Sequence, residues 1–179
     1  SLNEIAQDLI TLGIACGVEE HAKKISEEYL HFIAQLQTIA QTIQEKPTLY
    51  WEWWPNPIFT PGKVNWLTEI SVLAGGQNLF HDIELANVQT DWEEIISRNP
   101  DYILMAWVGV AYERIKPAHL LKRPQANELQ AVQKQHVHVM EEWLYCRPSP
   151  RLVEGALKLA QLLHPQSYQQ IALPSFLEC

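Results

Sequence analysis

Cysteine is scarce in this 179-residue chain, and its three copies, Cys16, Cys146 and Cys179, are far apart and odd in number. They form neither a disulfide framework nor a zinc knuckle. Basic residues are in deficit: 13 Lys+Arg against 21 Asp+Glu leave a net charge of −8. No basic patch offsets that balance, which argues against nucleic acid and anionic membrane surfaces. No apolar run approaches about 18 residues, so no transmembrane segment is expected. Glycine loops for phosphate are missing, as are G-x-G-x-x-G and G-x-S-x-G. The opening residues Ser1-Leu2-Asn3-Glu4 lack a basic n-region and already read as helix.

Apolar residues make up 47% of the chain and charged residues 19%, enough to bury a core. Seven tryptophans are the oddity, with Trp51, Trp53, Trp54 and Trp66 close together. Each can be read as core filling or as part of a stacking surface for a large flat ligand.

Periodicity divides the chain. Leu2, Ile5, Ala6, Leu9, Ile10 and Leu12 follow helical spacing up to Gly13 or Gly17. Residues 20–45 predict one long helix on Ile25, Tyr29, Phe32, Ile33, Leu36, Ile39, Ala40 and Ile43. Twenty-six residues span about 39 Å, a length that suits a strut between two lobes. After Lys46-Pro47, strands and helices alternate. Strands are expected at 48–53, 102–107 and 136–140, with a short extended piece at 79–80. A helix capped at Thr60-Pro61-Gly62 is expected to stop at Gly75-Gly76, and another to follow an Asp91 cap with Glu94 three residues on. Weaker helical patterns cover 113–121 and 125–133. A final helix starts at Ser149-Pro150, and 165–179 read as an irregular tail. The order predicts an α/β fold: a three-layer lobe with a mostly parallel sheet flanked by helices.

Ligands of such sheets bind beyond the carboxyl ends of the strands. The informative segments are therefore 53–59, 107–110 and 141–147. They place Trp54, Phe59, Trp107, Trp143 and Tyr145 at strand exits. His136 and His138 share a strand face without a third metal ligand, so packing roles are favoured over metal. Cys146 beside Arg147 is the one candidate nucleophile, and it defines an alternative reading as an α/β enzyme. Glu93 follows the Asp91 cap and is expected to face solvent, free for a partner.

The stretch Asn56-Pro57-Ile58-Phe59-Thr60-Pro61-Gly62-Lys63 leads by a helix to Ala74-Gly75-Gly76-Gln77-Asn78-Leu79-Phe80. Asp91-Trp92-Glu93-Glu94, Glu142-Trp143 and Ser149-Pro150-Arg151 follow. Together they resemble the C-terminal half of the helical-backbone (class III) substrate-binding proteins of ABC importers, over residues 2 to 164. That resemblance implies two α/β lobes joined by a long helix, with the ligand in the cleft between. It divides this chain into the last helix of an N-terminal lobe (1–19), the inter-lobe helix (20–45), the C-terminal ligand-binding lobe (46–164) and the tail (165–179). It implies no catalysis and no cofactor. The cargo would be cobalamin or a related corrinoid, with a ferric siderophore or haem as the alternative. ABC permease subunits would be the partner and the compartment periplasmic or extracytoplasmic by a lipid anchor.

Residue by residue, the resemblance puts Phe59 at a ligand contact, Glu142 and Trp143 at the next ligand loop, and Arg147 at the residue closing it. Asn87 falls where cobalamin-binding members carry a cleft Trp. Trp54 stands where they carry Gly. Glu93 matches the acidic residue that docks on transporter arginines. The residues point the same way: Trp and Phe faces suit a broad apolar rim, and Asn87, Glu142 and Arg147 suit amides. Half a cleft would bind weakly, and the exposed aromatic surface and the stub of the N-terminal lobe would promote self-association.

Overall fold

A computed structural model describes residues 1–177; Glu178 and Cys179 lie outside the described residues. Helix α1 (Leu2–Ala15) opens on a capping box, the Ser1 hydroxyl accepting from the Glu4 N–H while the Glu4 carboxylate turns back to the Ser1 nitrogen. Helix α2 (Glu19–Thr42) is antiparallel to it and runs 24 residues, about 36 Å. The helices approach closely at Gly13, where a Cβ would lie 2.1 Å from that of Ala22. Expected to reach residue 45, α2 stops at Thr42 because Ile43 turns extended. Its side chain covers Gly75, whose φ of +76° and 2.4 Å of room for a Cβ exclude larger residues.

Four parallel strands form the main sheet: β1 (Thr48–Glu52), β4 (Gln77–Asn78), β6 (Tyr102–Met105) and β7 (Val137–Val139), in the order β4-β1-β6-β7. A second sheet, β2 (Trp54–Pro55), β3 (Ile58–Pro61) and β5 (Asn87–Thr90), is antiparallel. It occupies residues expected to cap a helix. The cap is Asn65 instead, whose Oδ1 accepts from the Leu67 N–H and whose amide donates to the Ala86 carbonyl, so α3 (Trp66–Leu73) begins later. Helix α4 (Trp92–Arg98) is capped by Asp91, as expected. The region 113–133 yields only short pieces, α5 (Ala118–Leu121) and α6 (Gln130–Gln133) plus two 3₁₀ turns, because Pro117 and Pro124 interrupt it. Helix α7 (Glu142–Tyr145) follows β7, and α8 (Leu152–Leu163) packs on the sheet. The tail carries α9 (Pro165–Tyr168), where the buried Tyr168 hydroxyl donates to the Leu73 carbonyl.

Strand alternation feeds two cores. Leu49, Trp51 and Leu104 meet α2, α3 and α8, with Tyr29, Phe32 and Leu36 fully enclosed. Tyr50, Ile103 and Met105 face Ile58, Phe80, Ile95 and Leu120 on the other side. The expected three-layer α/β arrangement is present, with the antiparallel sheet as an addition.

The Gly13 contact is testable. Gly13→Ala gains about 1 kcal/mol of helix propensity but forces a clash of about 1–3 kcal/mol. Urea denaturation is expected to show net destabilisation. The double variant Gly13→Ala/Ala22→Gly, which moves the methyl group across the gap, returns near the parent midpoint.

Candidate functional site

The parallel strands end on one edge, and their exits build the site. At the end of β1, Glu52 is fully buried. Its Oε1 accepts from Trp107 Nε1 at 3.0 Å and Arg123 Nη2 at 3.1 Å. Its Oε2 accepts from the Tyr50 hydroxyl at 3.0 Å and from Arg123 Nη1. Four donors saturate the carboxylate, and a bidentate guanidinium balances its charge. Removing one member of such a pair costs about 3–5 kcal/mol. The backbone is tied at the same place: Ala106 N–H donates to Glu52 O and Val108 N–H to Trp53 O. The exits of β1 and β6 are thus one unit.

From Trp53 the chain turns back, its N–H donating to Phe59 O at 2.9 Å. Trp54 and Phe59 are direct cross-strand partners, and Phe59 faces Gln89 on β5. Directly opposed residues share a face. Asn87, two positions from Gln89, lies on that face too. The other face carries the buried Ile58, Thr60 and Val88. Trp54 is 42% exposed, Phe59 half-buried, and Asn87 and Gln89 exposed. An aromatic and amide-bearing surface results.

After β7, α7 sets a second cluster. The Glu142 carboxylate faces the Arg147 guanidinium at 3.3 Å and the Gly109 N–H at 3.4 Å. Gly109 to Glu113, Glu142, Trp143 and Arg147 line an open cavity of about 330 Å³. Trp143 is 45% exposed. Arg151 lies 4.6 Å and Lys158 5.4 Å from its ring centroid, which anchors the indole against α8. Trp107 stands between the clusters, half-buried, 5.9 Å from the His119 ring. Two strand spacings, about 10 Å, separate the β1 and β7 exits.

Not every expected site residue is there. Tyr145 is fully buried: α7 rolls it inward, where it packs on Trp51 at 5.3 Å and donates to the Gly155 carbonyl. It is a core residue and not a ligand contact. The Cys146 thiol donates to the Ala106 carbonyl at 3.2 Å, and burial pushes it up to about 12, against which the nearby Arg147 is a minor effect. Such a group stays protonated at neutral pH and is no nucleophile. His136 stacks on Tyr102 at 4.1 Å, and burial lowers the His138 imidazole below its usual range. Among the described residues no three His, Cys, Asp or Glu side chains are placed to hold a metal. Among them, too, no helix is long and apolar enough to cross a membrane.

Glu93 is exposed in the first turn of α4 and makes no ion pair among the described residues, whereas Glu94 pairs with Arg98. Sequence reasoning missed Glu52, Arg123 and Gln89. A carboxylate inside the run Tyr50-Trp51-Glu52-Trp53 was the available signal, since a charge there demands a partner.

Alkylation checks the thiol. Iodoacetamide at pH 7.5, read by peptide mass spectrometry, is expected to label the exposed Cys16 at least about tenfold faster than Cys146. Equal rates would contradict the buried thiol.

Comparison with known proteins agrees with this architecture. A family described as periplasmic binding protein matches residues 2–143. An uncharacterized ABC transporter substrate-binding lipoprotein of Bacillus subtilis is 28% identical over 178 residues, 95% of this chain and 53% of the relative. A vitamin B12-binding protein of Vibrio cholerae is 28% identical over 169 residues, 90% of this chain and 58% of that protein. The crystal structure of an ABC transporter substrate-binding protein from Listeria monocytogenes superposes with a TM-score of 0.82 at 22% identity, over 93% of this chain and 66% of that one. The chain therefore spans a little over half the length of the curated relatives it matches. With its parallel sheet, flanking helices and open strand-exit edge, the chain belongs to the periplasmic binding protein family.

Proposed function

We propose that this chain is the C-terminal lobe of an ABC-importer substrate-binding protein and that it holds cobalamin or a related corrinoid on its strand-exit edge. Residues 1–19 would then close a preceding lobe, and the helix through 42 would be the backbone joining the two. The ligand contacts would be Trp54, Phe59, Asn87, Trp107, Glu142, Trp143 and Arg147. Glu93 would dock on basic residues of the permease, a role suited to an unpaired, solvated carboxylate at a helix start. An extracytoplasmic location, periplasmic or lipid-anchored, goes with that role.

One observation carries the choice of ligand class. Arg147, the guanidinium at the cavity, already faces Glu142 at 3.3 Å. With that charge balanced, the edge offers aromatic faces and amides to a bulky, near-neutral molecule. An anionic ferric siderophore would favour free cations. The Vibrio cholerae relative is itself a vitamin B12-binding protein. Transport needs no chemical step, and the protonated Cys146 supplies none.

Titration calorimetry with cyanocobalamin, hemin and an anionic ferric siderophore tests the reading. Cyanocobalamin is expected to bind saturably, at least about a hundredfold more weakly than to a two-lobed relative, because only one face is covered. Trp54→Ala is expected to weaken it about tenfold, or about 1.4 kcal/mol. Glu142→Gln unmasks Arg147, so the same titrations are expected to show a gain for the anionic siderophore. Heat from hemin or siderophore alone would replace corrinoid by another chelate. Heat from none would overturn the reading.

Self-association is expected through the tip of the α1–α2 hairpin, where Leu12, Ile14 and Val18 are exposed at 63, 56 and 51%. Sedimentation velocity is expected to show concentration-dependent growth that Leu12→Lys/Val18→Lys abolishes. A monomer at every concentration would contradict it.

A further inference from the structure

A cavity of about 370 Å³ lies on the surface beside Glu93, between α4 and the turn at Pro124. Trp92 and Ile96 form its apolar wall and Glu93 part of its rim. The Trp92 indole N–H donates to the Pro124 carbonyl at 2.7 Å. The Arg123 guanidinium lies 4.8 Å from the centroid of the same ring. Arg123 in turn grips both oxygens of the buried Glu52, and Glu52 Oε1 holds the Trp107 indole N–H.

We propose that Arg123 is a positioning residue that couples the outer groove at Trp92 to the strand-exit ring of Trp107 through the buried Glu52. The proposal rests on the reading above of the strand exits as the ligand face and of the Glu93 surface as the permease-facing one. It gives that protein a route by which contact on one surface alters the other.

The physical case is one of constraint. Glu52 is fully enclosed, and each of its oxygens has two donors. In a low-dielectric interior a charge pair cannot lengthen or rotate without leaving charge unpaired, so its members move together. Trp107 and Arg123 are both tied to this carboxylate, so Glu52 pins the two ends of the 107–123 segment. That segment carries the exposed Tyr112 and the His119 ring that backs Trp107. Outside, the planar guanidinium stacks on Trp92, a side chain with one role in the groove wall and another as the platform for Arg123. A basic or aliphatic side chain entering the groove would press on Trp92 and be felt at the guanidinium. By linkage, a ligand pressing on Trp107 alters affinity at the groove by the same factor.

The test uses the ligand-free chain and its indole N–H signals in a ¹⁵N–¹H spectrum, assigned by single substitutions. Trp92→Leu removes the platform without touching Trp107. The Trp107 indole signal is expected to move and its exchange protection to fall at least about fivefold. The Trp51 and Trp66 signals, bonded to Ser71 Oγ and the Tyr145 carbonyl in the opposite core, are expected to stay. Ile96→Ala opens the same groove away from Arg123 and is expected to leave Trp107 in place. Trp92→Phe, a milder change, gives a smaller shift of the same kind and serves where the leucine variant does not fold. A Trp107 signal unmoved by either Trp92 variant overturns the proposal. So does an equal response to Ile96→Ala, which would mean general loosening. The readout needs no ligand: Trp107 responding while cyanocobalamin, hemin and siderophore all fail to bind would keep the coupling and reject the ligand reading.

Discussion

A single carboxylate, Glu52, organises the end of the inner strand β1. The C-terminal edge of a parallel sheet is where the loops that touch a ligand must leave, and loops need an anchor. Here that anchor is ionic and buried. Glu52 receives Tyr50 from its own strand, Trp107 from the next strand's exit and Arg123 from sixteen residues beyond that. A well-packed hydrophobic group in its place could match its stability. It could not fix the azimuth of an indole and a guanidinium at once. The pair sets geometry more than it adds stability, and the geometry it sets is that of the strand-exit edge.

On that scaffold the chemistry is divided. The β2–β3–β5 sheet offers rings and amides on one face and buries the other. The α7 turn offers a carboxylate and a guanidinium that answer each other, and an indole held by Arg151 at the cap of α8 and Lys158 within it. Beside them, burial keeps the Cys146 thiol protonated. The surface shows rings and amides, and Glu142 balances the charge of Arg147. The same economy holds at α4, where Asp91 caps, Glu94 pairs and Glu93 is left to the solvent.

Much of the fold was legible because its causes are local. The spacing of Tyr29, Phe32, Leu36 and Ala40 fixes α2, and the Asp91 cap fixes the start of α4, while the Glu94 side chain pairs with Arg98 instead of closing a capping box. Alternating strands and helices after residue 46 imply a parallel sheet. The failures have causes far along the chain. Thr60-Pro61-Gly62 has the form of a cap, but pairing with β5 puts Thr60 and Pro61 in a strand. Tyr145 sits at a strand exit in sequence, and only the roll of α7 carries it against Trp51. Glu52 and Arg123 are 71 positions apart, and nothing near either names the other. Trp54 and Trp143 were readable as strand-exit aromatics, while Arg151 and Lys158 behind Trp143 were not.

Two strand exits held on the buried Glu52, with the α7 turn joined to them through the Gly109 N–H and the Glu142 carboxylate, are proposed to form one contact surface at a single edge of the sheet. Hydrogen–deuterium exchange with and without saturating cyanocobalamin tests it most directly. Added protection is expected in 53–60, 106–112 and 142–147, and none around 43–47 and 101 at the opposite end of the strands. Protection at that opposite end, or a ligand that binds and leaves the three exits unchanged, would contradict it.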